Sequence, residues 1–273
     1  MEKVIREICV AGAVIDTIIK ASFRNSGKRK PKEKVTPEGV KKNNDRLAIL
    51  KLTRLINMNF YPGDFHCTLT YANVLDPEEA KHQLNLWLKR MRREYEKQGK
   101  EFYWVAVTEF KNHRIHHHVV MNYIDQGIIA KQWKQGHVRC SMLDRSRNYR
   151  KLAEYLIKET QKTFREPDNA TKRRWSASRN LKRPIIKREW VSVANLWREP
   201  KPLKGYKIDY DTLRYYEHPT TKLEHLEYMQ ISTDPVPRIK TWRKGKIVNR
   251  EEGYIRAANL QMEFENIDSI DVQ

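Results

Sequence analysis

The sequence lacks any apolar run long enough to cross a membrane, and it holds few cysteines. The run "ICVAGAVI", from Ile8 to Ile15, is bracketed by charged residues, whereas a membrane-spanning helix needs about 20 apolar residues. The three cysteines, Cys9, Cys67 and Cys140, stand too far apart in the sequence to indicate a zinc knuckle or a redox pair. These shortages disfavour a membrane or secreted protein and favour a reduced, cytoplasmic compartment.

A glycine-rich phosphate loop of the GxxxxGK type is also missing, which disfavours an attached ATPase. What the sequence has in excess is positive charge. It holds 54 Lys and Arg against 34 Asp and Glu, with a formal net charge of +20 and a pI near 9.8. This balance favours a polyanionic partner, most often nucleic acid. The hydrophobic share of 39% is enough for a folded core.

Charge and apolar patterning divide the chain into three segments. Residues 1–45 are predicted to be a basic N-terminal segment. The stretch from Lys20 to Arg54 holds twelve Lys or Arg against three acidic residues, and it is expected to end in a helix. Residues 46–165 carry the regular elements. Residues 166–273 are predicted to be a basic C-terminal extension that ends in the acidic tail "QMEFENIDSIDVQ".

The regular elements of the middle segment predict a mixed α+β fold. "FHCTLTY" alternates like a strand, and the stretch after it is typical of a helix that Asp76 caps, Pro77 begins and Gly99 ends. Its apolar stripe is expected in the core: Ala80, Leu84, Leu88, Met91 and Tyr95. "EFYWVAVTEF" and "RIHHHVVMN" are predicted to form a hairpin, and "YRKLAEYLIKETQK" a second helix. The order strand, helix, strand, strand, helix indicates an antiparallel sheet with flanking helices.

The histidine run His116–His118 lies inside a predicted strand, where side chains alternate between faces. His116 and His118 are therefore expected on one face and His117 on the other. If "KNHR" is a four-residue turn, Glu109 lies opposite His116 on the same face. Two imidazoles and one carboxylate suit a metal with open coordination positions, as Lewis-acid catalysis requires. Such a set also serves non-haem iron oxygenases, which the nucleic-acid signature of this chain disfavours.

Tyr155 is the candidate nucleophile. It lies on a predicted helical face with Lys151, Lys158 and Lys162. A phenol with a pKa of about 10 is a weak nucleophile at neutral pH unless a base, a metal or a cation assists it. Lys158 is a candidate for stabilising phosphate charge or protonating a leaving oxygen.

Three motifs in this order resemble the HUH-type rolling-circle replication initiator (Rep) endonucleases of bacterial plasmids, mobile elements and phages. "FHCTLTY" is similar to the first motif of that family, "HHH" to its His-x-His metal motif and "YLIK" to its Tyr-x-x-Lys nucleophile motif. "SRNLKRP", from Ser178, resembles a further element. In relaxases of the same superfamily the tyrosine usually comes before the histidines, whereas here Tyr155 follows them.

The resemblance implies a ferredoxin-like sheet on which histidines hold Mg²⁺ or Mn²⁺. It implies that the tyrosine attacks single-stranded or hairpin origin DNA and forms a 5′-phosphotyrosine bond, leaving a free 3′-hydroxyl that primes synthesis. A host helicase and a polymerase are the protein partners that such initiation implies.

Several alternatives remain open at the level of sequence. The middle residue of His-x-His is usually apolar in the family but is His117 here, so a pairing with His113 or His117 is an alternative. Tyr149 is a second candidate nucleophile, although no lysine follows it at the matching position. A small single-strand transposase would use the same chemistry, and a basic nucleic-acid-binding protein without catalysis would explain the charge alone.

The basic stretch after the second helix is a candidate DNA contact. It combines cations with an aromatic ring, a mixture that suits phosphate contacts and base stacking. Its candidate residues are Arg173, Arg174, Trp175, Arg179, Lys182 and Arg183, and the helix lysines Lys151 and Lys162 are further candidates for DNA contact. A solvated basic loop is the alternative.

Overall fold

The structure is a computed structural model that describes residues 4–21, 38–111, 114–165, 173–218 and 222–235. His113 and the acidic tail lie outside these described residues. The chain divides into two compact units: residues 48–182 form one, and the described residues of 1–47 and 183–273 form the other. The segment boundaries near residues 45 and 165 stay predictions.

The 48–182 unit is built on a five-stranded sheet in which every pairing is antiparallel. Its strands are β3 (Phe65–Thr70), β4 (Trp104–Lys111), β5 (Arg114–Met121), β6 (Val138–Met142) and β7 (Ser176–Ala177), in the order β6-β3-β5-β4-β7. Its helices are α2 (Pro77–Lys97), α3 (Gln126–Gln132), α4 (Arg150–Arg165) and the C-terminal part of α1 (Glu38–Asn59). The succession β3-α2-β4-β5-α3-β6 is the βαββαβ arrangement of ferredoxin-like folds, which confirms the predicted fold class.

Helix α2 follows the predicted pattern. The Asp76 side chain accepts hydrogen bonds from the backbone N–H groups of Glu78 and Glu79, and Pro77 opens the helix. Beyond its end, Gly99 adopts a positive φ of 64°, a conformation that costs glycine little. All five residues of the predicted stripe are buried, and Trp87, which the prediction left out, is fully buried with them.

Alternation along the strands assigns each face of the sheet to a different helix layer. Phe65, Cys67 and Leu69 of β3 pack into a core with α2 and α3. On the opposite face, residues of β4 and β5 pack with α1 and α4. His66 and Thr68 lie on this second face, because they alternate with the buried residues of β3.

Two of the three cysteines lie side by side, which their spacing in the sequence did not indicate. β3 pairs with β6 so that Cys67 faces Cys140, and their sulfur atoms lie 2.8 Å apart although 73 residues separate them. All three cysteines are free thiols. The contact depends on β6, a strand that the sequence did not predict.

The other unit contains a second antiparallel sheet. Its strands are β1 (Val4–Ala11), β2 (Val14–Ala21), β8 (Ile185–Val191), β9 (Tyr206–Glu217) and β10 (Glu224–Ser232), in the order β8-β1-β2-β10-β9. A short 3-10 helix spans Val193–Leu196. The apolar run Ile8–Ile15 is thus the tip of a hairpin that turns at Gly12, whose φ is 61°.

None of the helices in the described ranges has the length and apolar composition that crossing a membrane would require.

Candidate active site

The pairing of β4 with β5 sets the register of the histidine run. Glu109 pairs with His116 and Phe110 with Ile115, which confirms the predicted register. His118 pairs with Val107 on one side and Thr68 on the other. Glu109, His116 and His118 therefore share the sheet face that α1 and α4 cover, as alternation predicted.

Glu109 and His118 form the buried centre of this site. Nε2 of His118 lies 3.1 Å from Oε2 of Glu109, and the side chains are only 3% and 5% exposed. His116, directly across the strand pair from Glu109, is half-buried. The fold therefore places the Glu109 carboxylate beside the imidazole of His118. The residue paired with Glu109 on the neighbouring strand, His116, carries a second imidazole.

His66 is a member of the site that the sequence prediction missed. Its Nε2 atom lies 3.2 Å from Nδ1 of His118, and the ring centroids are 5.4 Å apart. Burial, together with the charge of His118, lowers the pKa of His66 to about 4, so its imidazole is neutral at neutral pH. The signal was present in "FHCTLTY": alternation against the apolar Phe65, Cys67 and Leu69 directs His66 to the histidine face.

Tyr155 reaches the same face from α4. The buried Ala153, Leu156 and Ile157 anchor the helix on the sheet. Tyr155 itself is 42% exposed, and its ring meets the rings of His118 and His66 edge-on at centroid distances of 5.4 and 6.2 Å. The predicted nucleophile is therefore partly open to solvent beside two imidazoles.

The electrostatic surroundings of Tyr155 keep its phenol protonated at neutral pH. Partial burial raises its pKa, and the carboxylates of Glu159 and Glu109 raise it further. Attack on a phosphate therefore requires the phenol to lose its proton as the new bond forms.

The alternative nucleophile, Tyr149, sits in the core. It is only 4% exposed, and its hydroxyl donates a hydrogen bond to the carbonyl of Asp144 at 3.2 Å. Burial and the nearby carboxylates of Asp64 and Asp144 raise the pKa of Tyr149. These contacts make it a packing residue and favour Tyr155 as the nucleophile.

His117 faces the opposite layer of the sheet, where it is fully buried. Its Nδ1 lies 3.0 Å from the hydroxyl of Thr108 and its Nε2 lies 2.8 Å from the hydroxyl of Tyr71. Burial lowers the pKa of His117 to about 3, so the ring is neutral. Both nitrogens are therefore used inside the α2 and α3 layer, away from Tyr155.

The lysines predicted beside Tyr155 lie on α4. Lys151 and Lys158, one turn before and one turn after Tyr155, are both exposed. The side chain of Lys162 lies outside the described part of the chain. The role of Lys158 in charge stabilisation or proton transfer stays a prediction.

The predicted DNA-binding stretch is partly structural. The exposed cations are Arg173, Arg179, Lys182 and Arg183, whereas Arg174 is half-buried. Trp175, offered as a stacking platform, is half-buried against the core of α1 and α4. The backbone N–H of Lys182 donates to the side chain of Asn59 at 2.7 Å, and the Asn59 amide donates back to the Lys182 carbonyl at 2.8 Å. These hydrogen bonds attach the stretch to the last residue of α1, so the stretch also contributes to the folded structure of the 48–182 unit.

The donor set fits a divalent metal in part. Across the described ranges, no group of three or more His, Cys, Asp and Glu side chains is arranged to hold an ion, since Glu109 and His66 approach different nitrogens of His118. Two ligands at right angles on an ion about 2.1 Å away lie about 3.0 Å apart. The 3.1 Å between His118 Nε2 and Glu109 Oε2 matches that spacing, and His116 shares their sheet face as the residue paired with Glu109.

Comparison with known proteins agrees with the motifs. A family model described as a replication-associated protein matches residues 64–164, the part of the chain that holds His66, Glu109, His118 and Tyr155. No curated protein and no solved structure matches the chain. The matched segment supports a role in replication initiation and DNA binding, and it confirms the resemblance of this chain to Rep-type rolling-circle replication initiators.

Proposed function

We propose that the protein is a metal-dependent, site-specific single-strand DNA endonuclease and strand transferase that starts rolling-circle replication. The observation that carries the proposal is the position of Tyr155, whose ring meets those of His118 and His66 on the face that also holds Glu109. A phenol beside a carboxylate and imidazoles on a basic protein suits attack on a phosphodiester.

In the proposed reaction, the Tyr155 oxygen attacks the scissile phosphorus and the bond from phosphorus to the 3′-oxygen breaks. The phenol gives up its proton to solvent, to which Tyr155 is partly exposed. The leaving 3′-oxygen takes up a proton, for which Lys158 is the proposed donor. The products are a 5′-phosphotyrosine bond and a free 3′-hydroxyl. Attack by a 3′-hydroxyl on the phosphotyrosine reverses the step and joins strand ends.

The side chains of Glu109, His116 and His118 are the proposed ligands of Mg²⁺ or Mn²⁺. When bound, the ion would polarise the scissile phosphate and lower the energy of its developing charge. The exposed Lys151, with Arg173 and Arg179, would guide the single strand by phosphate contacts. We expect the protein to act in the cytoplasm, with a host helicase and polymerase extending the 3′-hydroxyl.

The test is a covalent-adduct assay on labelled, overlapping single-stranded oligonucleotides that tile the replicon carrying the gene. We expect the wild type to form an adduct on denaturing gels that EDTA prevents, and Tyr155→Phe to form none. Tyr210→Phe is the matched control, because Tyr210 is a 66% exposed tyrosine in the other unit. Mass spectrometry of the adduct should find the nucleotide on the peptide that contains Tyr155.

Three results would contradict the proposal in different ways. Binding on native gels with no adduct would indicate a DNA-binding protein without catalysis. An adduct that still forms with the Tyr155→Phe variant would show that another tyrosine is the nucleophile. A protein that joins two transposon ends but does not support plasmid replication would instead be a single-strand transposase.

A further inference from the structure

We infer that His66 is a positioning residue, which accepts a hydrogen bond from Nδ1–H of His118 and so leaves the lone pair of His118 Nε2 directed at Glu109. The inference rests on the proposed function, because it concerns the metal site of that reaction. It assigns a role to a side chain of the FHCTLTY motif that the sequence analysis did not place among the site residues.

The contacts of His118 carry the argument. One ring nitrogen faces a carboxylate, with 3.1 Å between Nε2 and Glu109 Oε2, and the other faces an imidazole, with 3.2 Å between Nδ1 and His66 Nε2. His118 must be neutral to bind a cation, and a neutral imidazole carries one proton, so in that form each ring nitrogen is a donor or an acceptor but not both. The two neighbours therefore compete over where the proton of His118 resides.

Only one of the two tautomers can bind a cation beside Glu109. With the proton on Nε2, His118 donates to the Glu109 carboxylate and has no lone pair on that side. With the proton on Nδ1, the Nε2 lone pair and the Glu109 carboxylate point into the same space. An acceptor at Nδ1 stabilises this second tautomer, and metal-binding histidines generally have such a partner on their other nitrogen.

His66 is the neighbour best placed to be that acceptor. His118 is only 3% exposed, so water has little access to replace a lost partner. The hydroxyl of Thr68 lies 3.4 Å from the same nitrogen, near the limit of a hydrogen bond, and is the weaker candidate.

The test is Mn²⁺ affinity, measured by isothermal titration calorimetry on the full chain without DNA. His66→Phe keeps a ring but removes the acceptor, and we expect it to weaken Mn²⁺ binding by about 10- to 100-fold, the usual effect of losing such a partner. His66→Gln restores an acceptor near the Nε2 position and should recover most of the affinity. His82→Phe, which alters an exposed histidine on α2, should leave it unchanged. Circular dichroism confirms that each variant is folded.

Pulsed electron paramagnetic resonance of bound Mn²⁺ separates positioning from direct ligation. His66→Phe, measured at saturating Mn²⁺, should keep both imidazole nitrogen couplings, those of His116 and His118. Loss of one coupling would show that His66 is itself a ligand, and would overturn the inference. Unchanged Mn²⁺ affinity in His66→Phe would overturn it as well, while the proposed function would stand. If the wild type bound no Mn²⁺, both would fall.

Discussion

Substitution of the adjacent histidines His117 and His118 should have different effects on nicking. His117→Ala should lower the free energy of unfolding and leave the nicking rate of the folded molecules nearly intact. His118→Ala should abolish nicking even in the molecules that remain folded. The two residues are neighbours in the chain, but they face different layers of the sheet.

The size of the stability loss follows from the contacts of His117. Its two ring nitrogens make hydrogen bonds at 3.0 and 2.8 Å with Thr108 and Tyr71 in a fully buried position. Each lost hydrogen bond costs about 1 kcal/mol. The cavity left by the ring adds about 1 to 2 kcal/mol, below the full cost of a large apolar truncation because the lost group is polar. We therefore expect the free energy of unfolding to fall by about 3 to 4 kcal/mol, a large share of the roughly 5 to 15 kcal/mol typical of a domain.

The assay combines urea unfolding with single-turnover nicking. The unfolding curve of each variant gives its folded fraction, and the nicking rate is divided by that fraction. His117→Gln is the control, since it retains hydrogen-bonding capacity and should lose less stability than His117→Ala. A His117→Ala variant with full stability and no nicking would refute the assignment of the two faces and would place His117 among the metal ligands.

Three further outcomes are expected. Glu109→Ala and His116→Ala should each reduce nicking strongly and weaken Mn²⁺ binding by calorimetry, and full activity in either would remove that residue from the ligand set. Replacing Arg173 and Arg179 together by alanine should make the slope of log affinity against log salt shallower, by roughly 0.7 for each lost phosphate contact on a single strand, which fluorescence anisotropy across a salt series measures; an unchanged slope would assign both residues to solvent. In the other unit, burial, aided by the neighbouring His218, lowers the pKa of His225 to about 4. Since an unfolded histidine has a pKa of about 6.5, stability against urea should fall as the pH drops from about 6.5 towards 4, and His225→Phe should flatten that dependence; an equal dependence in the variant would contradict it.

The basic stretch after α4 is better tested by substitution than by removing the chain that follows the helix. Strand β7 pairs with β4, and Lys182 exchanges hydrogen bonds with Asn59. A chain that ends near residue 164 would lose these contacts, so weaker DNA binding could result from a damaged fold.

The sequence was sufficient wherever a local pattern decides the structure. Helix α2 has its cap, its first-turn proline and its apolar stripe within one stretch, and the strands that carry Glu109 and His116 are close neighbours in the sequence, paired in the predicted register. Alternation then separated His117 from His118. Each of these features depends on residues near one another in the chain.

What the sequence did not predict depends on distant pairing. Strand β6 is short and half-exposed, so its pairing with β3 and the contact of Cys67 with Cys140 had no local signal. The run Ile8–Ile15 is too continuous to separate a strand from a helix by periodicity, and its hairpin is completed by β8 and β10 from the far end of the chain. Alternation already indicated the face on which His66 lies. Its contact with His118, however, depends on the pairing of β3 with β5, which the sequence did not predict.

The candidate site draws its side chains from four elements, with His66 on β3, Glu109 on β4, His116 and His118 on β5 and Tyr155 on α4. His66 and His118 alone are 52 residues apart, so their contact forms only after a long stretch of chain has closed into the sheet. During synthesis on the ribosome, a chain that has emerged only through β5 would hold the proposed metal ligands but no nucleophile. Nascent or prematurely terminated chains should therefore be unable to cut DNA, and the capacity to nick should arrive in one step, when α4 docks on the completed sheet.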